Sequence, residues 1–213
     1  LDRYDPDKRM WLIVDEWGTW YPHEPGTNPD FLYQQNSIRD AVVAALTLHI
    51  FQAHSDRVKL ANIAQTVNVL QAMILTEGEQ MILTPTYHVF DMLKAHQDAT
   101  LLPIDISVGA VGSGVDSVPA VSASASRAAN GQVLLTLCNL DPRQAQTISC
   151  VCPGGTISRV NGTVLAADSI TAHNTFANPD RVQPASFTGA TLEDSQHLTI
   201  VLPAASVVAL TLT

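Results

Sequence analysis

Most of the aromatic residues and every lysine are confined to one end of this chain. All three tryptophans (Trp11, Trp17, Trp20), all four tyrosines and all three lysines lie at or before Lys94, and beyond it only Phe176 and Phe187 are aromatic. The second part is rich in Val, Ala, Ser, Thr, Gly and Pro, with short β-prone runs between turn residues. Such a shift marks a boundary, placed here at Asp98 to Pro103, with one unit over 1–98 and another over 99–213. The 213 residues are enough for one large domain or two small ones, and need no disulfide or metal staple. A net charge of -9 makes the surface a poor partner for phosphate backbones or anionic lipid, so neither nucleic acid nor membrane is expected to bind. No run approaches the roughly 18 apolar residues of a membrane-spanning helix.

The first part carries the rhythm of a parallel sheet with covering helices. Trp11-Leu12-Ile13-Val14 is a continuous apolar run ending in Asp15-Glu16, as expected of a strand buried on both faces. Asn28-Pro29 offers an N-cap followed by proline in the first turn. Ile38, Val42, Leu46 and Ile50 then recur every four residues, which predicts an amphipathic helix from about Asp30 to Ala53. Arg57 to Ala64 reads as a second strand, and Thr84 to His96 as a second helix opened by Pro85. The second part reads as an antiparallel β-sandwich. Its expected strands are Val133–Leu140, Gln146–Val151, His197–Leu202 and Ser206–Leu212, with turns at Asn130-Gly131, Pro153-Gly154-Gly155 and Asn161-Gly162. Gly112-Ser113-Gly114 and Ser122 to Ser126 are expected to be small-residue loops; no helical pattern follows them to make a phosphate cradle.

In a parallel sheet or barrel, functional groups collect at the carboxyl ends of the strands. Glu16 stands at such an end, and Trp17, Trp20 and Tyr21 follow within five residues. Aromatic faces stack on the C–H faces of sugars, and a carboxylate can attack an anomeric carbon or stabilise an oxocarbenium ion. A strand-end acid bonded to backbone amides, with the rings as core, accounts for the same residues equally well. Asp15 faces the other side of the strand and is expected to pair with an Arg or a backbone group. His54, Asp56 and Arg57 read as a polar junction, His23 and Glu24 as a solvated loop or, failing that, an edge of the pocket, and Glu77 and Glu79 as an exposed turn around Gly78. His88 and His96 have no carboxylate to complete a metal set. Cys138, Cys150 and Cys152 are odd in number and lack a Cys-x-x-Cys pair, so they read as free buried or half-buried thiols. No metal or cofactor is expected. The thiols fit a reducing compartment, and a cytoplasmic location is expected.

Several stretches together resemble one family. Asp15-Glu16-Trp17-Gly18-Thr19-Trp20-Tyr21, Glu24-Pro25-Gly26-Thr27-Asn28-Pro29 and Leu32-Tyr33-Gln34-Gln35-Asn36 are similar to the catalytic end of the family-51 glycoside hydrolases, the α-L-arabinofuranosidases. His54 to Gln65 and Thr84-Pro85-Thr86-Tyr87-His88-Val89-Phe90 continue the likeness in order. It covers residues 1–105 closely, and the rest by position and composition. The resemblance implies that the chain holds the last two βα units of a (β/α)8 TIM barrel followed by a C-terminal β-sandwich. It implies that Glu16 is the nucleophile at the end of the seventh strand of a retaining enzyme, and that Trp20 lines the sugar pocket. Gln65, at the end of the eighth strand, is implied to hydrogen-bond the bound arabinose; as a plain strand-end amide it would bond to loop backbone instead.

The implied substrates are arabinofuranosyl-containing oligosaccharides of arabinan or arabinoxylan type. Retention needs a second carboxyl about 5–5.5 Å from the first. In the family that acid/base is a Glu after the fourth barrel strand, and no such strand precedes Glu16 here. The expectation is therefore a fragment or processed product, inactive alone, that folds against an N-terminal part of the same enzyme. Family members often form hexamers, so a homo-oligomer is implied. Two other readings compete. A carbohydrate-binding or structural sandwich would want aromatic platforms, and the second part has two phenylalanines. A family relative acting on β-glucan or xylan would be separated by a substrate panel.

Overall fold

The protein is described by a computed structural model covering residues 1–213, and it is built mostly of β-sheet with two α-helices. The first part runs β1 (Leu12–Trp17), α1 (Ile38–Ala53), β2 (Val58–Ile63), β3 (Ile74–Glu77), β4 (Gln80–Leu83) and α2 (Pro85–Leu93). β1 and β2 pair in parallel, with Val14 opposite Ala61 and Trp17 opposite Ile63. β3 and β4 form a hairpin that turns at Gly78. Glu77 and Glu79 flank that glycine and are exposed, as expected of a turn.

Two expectations for this part are corrected. The helix starts at Ile38 rather than Asp30. The Asn28 side chain does cap, accepting from the Asp30 amide at 3.0 Å, but it opens only a 3-10 turn over Pro29–Phe31. Leu32 then takes a left-handed conformation (φ 51°) and breaks the helical path. α1 is opened instead by Ser37 and Asp40, whose carboxylate accepts from the Ser37 amide at 2.8 Å in a capping box. The apolar run of β1 is also not buried on both faces, since Trp11, Leu12 and Ile13 are exposed. β1 also pairs with β2 alone, so its other edge is unpaired.

The second part contains β5 (Thr100–Leu102), β6 (Ala110–Val111), β7 (Val118–Pro119), β8 (Val121–Arg127), β9 (Val133–Asn139), β10 (Gln146–Val151) and β11 (Val160–Leu165). It closes with β12 (Ala185–Ser186), β13 (Ala190–Leu192), β14 (His197–Leu202) and β15 (Ser206–Leu212). One six-stranded antiparallel sheet has the order β12-β11-β15-β9-β8-β5, and a three-stranded one the order β10-β14-β13. The strand runs expected from β-branched content are present, the first ending at Asn139.

The residues expected to form a loop at Ser122 to Ser126 are instead the interior strand β8. Their small side chains make room for the first part: Ser122 and Ser126 hydrogen-bond His49 of α1 and His96, just beyond α2. Asn161-Gly162 is not a turn either but lies inside β11. Gly162 is there for space: a Cβ would lie 2.7 Å from Leu210 Cδ2 and 3.0 Å from Phe187. Asn130-Gly131 does turn the chain between β8 and β9.

Two cores result. Ile38, Ala41, Ala45 and Val89 of the helices pack with Cys138, Leu165 and Val207 of the six-stranded sheet. On the other face of that sheet, Val121, Leu135, Leu137 and Leu210 meet Leu198, Ile200 and Leu202 of the three-stranded sheet. The helices of the first part and the sheet of the second thus share one apolar layer, which holds the β1–β2 pair in place through α1 and α2.

Candidate active site

The parallel pairing puts the ends of β1 and β2 side by side, with the Ala64 amide donating to the Trp17 carbonyl at 2.8 Å. Trp17 points toward the helices: its ring meets Phe51 of α1 edge-on at 5.4 Å and stacks on Phe90 of α2 at 6.0 Å. The register with β2 shifts between Val14 and Trp17, and next to the half-buried Trp17 the Glu16 side chain is exposed. Glu16 and Gln65 are both exposed, Gln65 standing two residues beyond the end of β2. Trp20 projects from the loop after β1, with 67% of its surface open. Both strands therefore deliver polar or aromatic side chains to one end of the pair. Asp15 is exposed and takes part in none of the ion pairs of this chain.

Beneath this open end lies a buried polar layer. Gln71 is fully buried; its Oε1 accepts from the Thr19 amide (2.7 Å) and hydroxyl (3.0 Å), and its Nε2 donates to the Asp40 carbonyl (3.0 Å) and Thr86 Oγ1 (3.3 Å). Gln34 accepts from the Tyr21 amide at 2.8 Å and donates to the Thr19 carbonyl at 3.2 Å. The same Thr19 hydroxyl lies 2.8 Å from Asp40 Oδ1, so its one proton is shared between the Asp40 carboxylate and Gln71. Asn36 donates to the Ala72 carbonyl and to Thr86 Oγ1, which ties the start of α2 to the same layer. Above it the Arg39 guanidinium lies 3.8 Å over the Tyr21 ring. Gly18 permits the close fit: it sits at φ 146°, and a Cβ there would come within 2.9 Å of Gln71 Oε1.

Sequence reasoning did not single out these residues. Gln34, Asn36 and Thr86 lie inside the matching stretches, but Gln71 has no local signal. Its partners are 15, 31 and 52 residues away.

The remaining polar candidates have structural surroundings. Arg57 is buried and bonds Asp2, Asp5 and the Met10 carbonyl, while Lys8 pairs with Asp56, so the expected polar junction straps residues 1–10 to the start of β2. The Met10 amide and the Arg57 guanidinium hold the Asp5 carboxyl below its ordinary range. His49 and His96 meet at the Thr136 hydroxyl, each 3.0 Å from it through Nε2. All three cysteines are free. Burial, and then the neighbouring Cys152, push the Cys150 thiol up to about 11. No three His, Cys, Asp or Glu side chains converge into a metal-ligating group.

A family model described as the α-L-arabinofuranosidase C-terminal domain matches residues 15–206. The chain belongs to this family. An intracellular exo-α-L-arabinofuranosidase from Bacteroides ovatus is 46% identical over 213 residues, covering all of this chain and 41% of the relative. An exo-α-(1->6)-L-arabinofuranosidase from Bifidobacterium longum is 26% identical, over 81% of this chain and 36% of that protein. Among solved structures, a GH51 arabinofuranosidase from Xanthomonas axonopodis pv. citri superposes with a TM-score of 0.96 at 50% identity. It is covered over 43% of its length and covers this chain fully. An α-L-arabinofuranosidase from Thermotoga maritima, solved as an arabinose complex, gives a TM-score of 0.84 at 25% identity, with 99% of this chain and 44% of that chain covered. This arabinofuranosidase C-terminal chain thus spans about two-fifths of the length of the relatives it matches.

Proposed function

We propose that this chain is the nucleophile-bearing C-terminal part of a retaining α-L-arabinofuranosidase that releases arabinose from arabinan- or arabinoxylan-type oligosaccharides. The observation that carries the reading is the pairing of β1 and β2 in parallel, with Glu16 and Gln65 at the same exposed end and Trp20 four residues beyond Glu16. Glu16 attacks the anomeric carbon of the arabinofuranosyl group and forms a covalent glycosyl-enzyme, which water then hydrolyses with retention. Trp20 offers an apolar wall to the sugar and Gln65 an amide to its hydroxyls. The acid/base carboxyl belongs to a preceding part of a longer polypeptide. That assignment is supported by the share of the relatives this chain covers, by the exposed apolar side chains of β1 and by its unpaired edge.

In this reading residues 1–98 supply the last two βα units of a (β/α)8 barrel, and residues 99–213 a C-terminal β-sandwich. The first six units come from the N-terminal part, and the whole assembles as a homo-oligomer, a hexamer being the form the family suggests. The name of the Bacteroides relative favours an intracellular setting. The test is Glu16→Ala in the full-length enzyme with an aryl arabinofuranoside. Turnover should fall by about 10⁴-fold or more, and azide should restore part of it as a glycosyl azide of inverted configuration. Activity within tenfold of wild type would exclude Glu16 as the nucleophile.

A further inference from the structure

The three residues Thr19, Trp20 and Tyr21 leave β1 without entering another regular element. A free loop of this kind would leave a large indole sampling many positions, since ordering a side chain and its backbone costs conformational entropy. Here the backbone on each side of Trp20 is gripped by a buried amide. On one side Gln71 takes both the amide and the hydroxyl of Thr19. On the other Gln34 takes the Tyr21 amide and returns a bond to the Thr19 carbonyl. Gln71 is fully buried and Gln34 nearly so, and each uses both ends of its carboxamide.

The gripping residues are themselves anchored. Gln71 is tied to the first turn of α1 through the Asp40 carbonyl and to α2 through Thr86. The layer beneath those helices is the core shared with the six-stranded sheet. Trp20 itself makes none of these bonds, and its ring stays open. The polar layer therefore fixes where the indole starts from without touching it.

We propose that Gln71 and Gln34 are positioning residues that act on the sugar through Trp20, as a clamp on the peptide segment that carries it. The inference rests on the proposed role of Trp20 in the sugar pocket. Preorganising a binding wall in this way lowers the entropic cost of capturing substrate. The clamp's main effect is therefore on substrate capture, with the chemical step at Glu16 less affected.

The test uses the full-length enzyme with Gln71→Ala, Gln34→Ala and Trp20→Ala, alone and combined. Each glutamine variant should raise KM roughly tenfold while kcat changes about threefold or less. Combined with Trp20→Ala, the glutamine substitutions should add less than about twofold to the loss in kcat/KM, because the side chain they position is gone. Fully multiplicative losses, or kcat falling with KM unchanged, would overturn the clamp. A second measurement does not depend on activity: limited chymotrypsin digestion mapped by mass spectrometry. Cleavage after Trp20 should be at least tenfold faster in the glutamine variants than in wild type, and equal rates would overturn the proposal.

Faster cleavage in an enzyme with no arabinofuranosidase activity would keep the clamp and reject the sugar assignment. Should Gln71→Ala fail to fold, Gln71→Met keeps most of the side-chain length, removes the oxygen that holds the Thr19 amide, and carries the same two readouts.

Discussion

Acidification from pH 7 to pH 5 is expected to destabilise the chain through two histidines. Burial, and to a lesser degree His96, hold His49 down to about 3, and burial alone holds His96 at about 4. Their rings bond to the hydroxyls of Ser122, Ser126 and the shared Thr136, with no carboxylate among these partners to balance a positive charge. In the unfolded chain each titrates near 6.5. Between the two values only the unfolded chain takes up the proton. This stability is therefore complete above about pH 6.5 and is lost as the pH falls.

At pH 5 both rings are still neutral in the fold. One and a half pH units at about 1.4 kcal/mol each remove roughly 2 kcal/mol per histidine, or about 4 kcal/mol together. The loss levels off near pH 4 for His96 and near pH 3 for His49. Half-buried His88, also lowered by burial, adds a contribution of the same sign. The lowered carboxyls Asp2, Asp5, Asp56 and Asp194 start from 3.8, so their share comes mostly below this window. Against a total stability on the order of 5–15 kcal/mol, the histidine effect is large. Urea unfolding followed by tryptophan fluorescence at pH 7, 6 and 5 measures it. The His49→Gln/His96→Gln variant should lose most of the slope. A wild-type stability that is flat over this range, or an equal slope in the two proteins, refutes the reasoning.

Gly162→Ala should cost about 1–3 kcal/mol in the same unfolding assay, since the added methyl meets Leu210 and Phe187 inside a packed sheet. An unchanged midpoint would mean that β11 can move aside. Arg57→Gln removes the guanidinium that holds Asp2, Asp5 and the Met10 carbonyl. Trypsin should then cut at Arg3, Lys8 or Arg9 several-fold faster than in wild type, with the sites read by mass spectrometry.

The local chemistry of the first part was readable residue by residue. The apolar run before Glu16, the Thr84-Pro85 helix start and the Gly78 turn each depend on neighbours a few positions away, and each is present. Readings failed where a distant contact chose between local options. Asn28-Pro29 is a sound helix start, yet the left-handed Leu32 ends it after one turn and Ser37 with Asp40 opens α1 instead. Ser122 to Ser126 has a loop's composition, yet it is a strand because β9 and β5 pair with it on both edges, and its serines meet His49 of α1 and His96. Gly162 carries a turn's signature, yet it sits inside a strand because β15 and β12 pair with β11 on both edges, and Leu210 and Phe187 fill the space a side chain would need.

The same division holds for the candidate site. Sequence by itself determined which residues are offered for chemistry, a strand-end glutamate with aromatic neighbours in stretches similar to an arabinofuranosidase. It also determined the family, because motif order is a property of the chain alone. The tertiary structure decided what stands behind those residues. Only in the fold does Gln71 reach Thr19 across 52 positions, and only there do two buried amides hold the segment that carries Trp20. Hydrogen bonds between residues so far apart have no periodicity and no local propensity to announce them. They exist because the shared core under α1 and α2 brings the two loops together, and a buried polar group must find a partner where it lies.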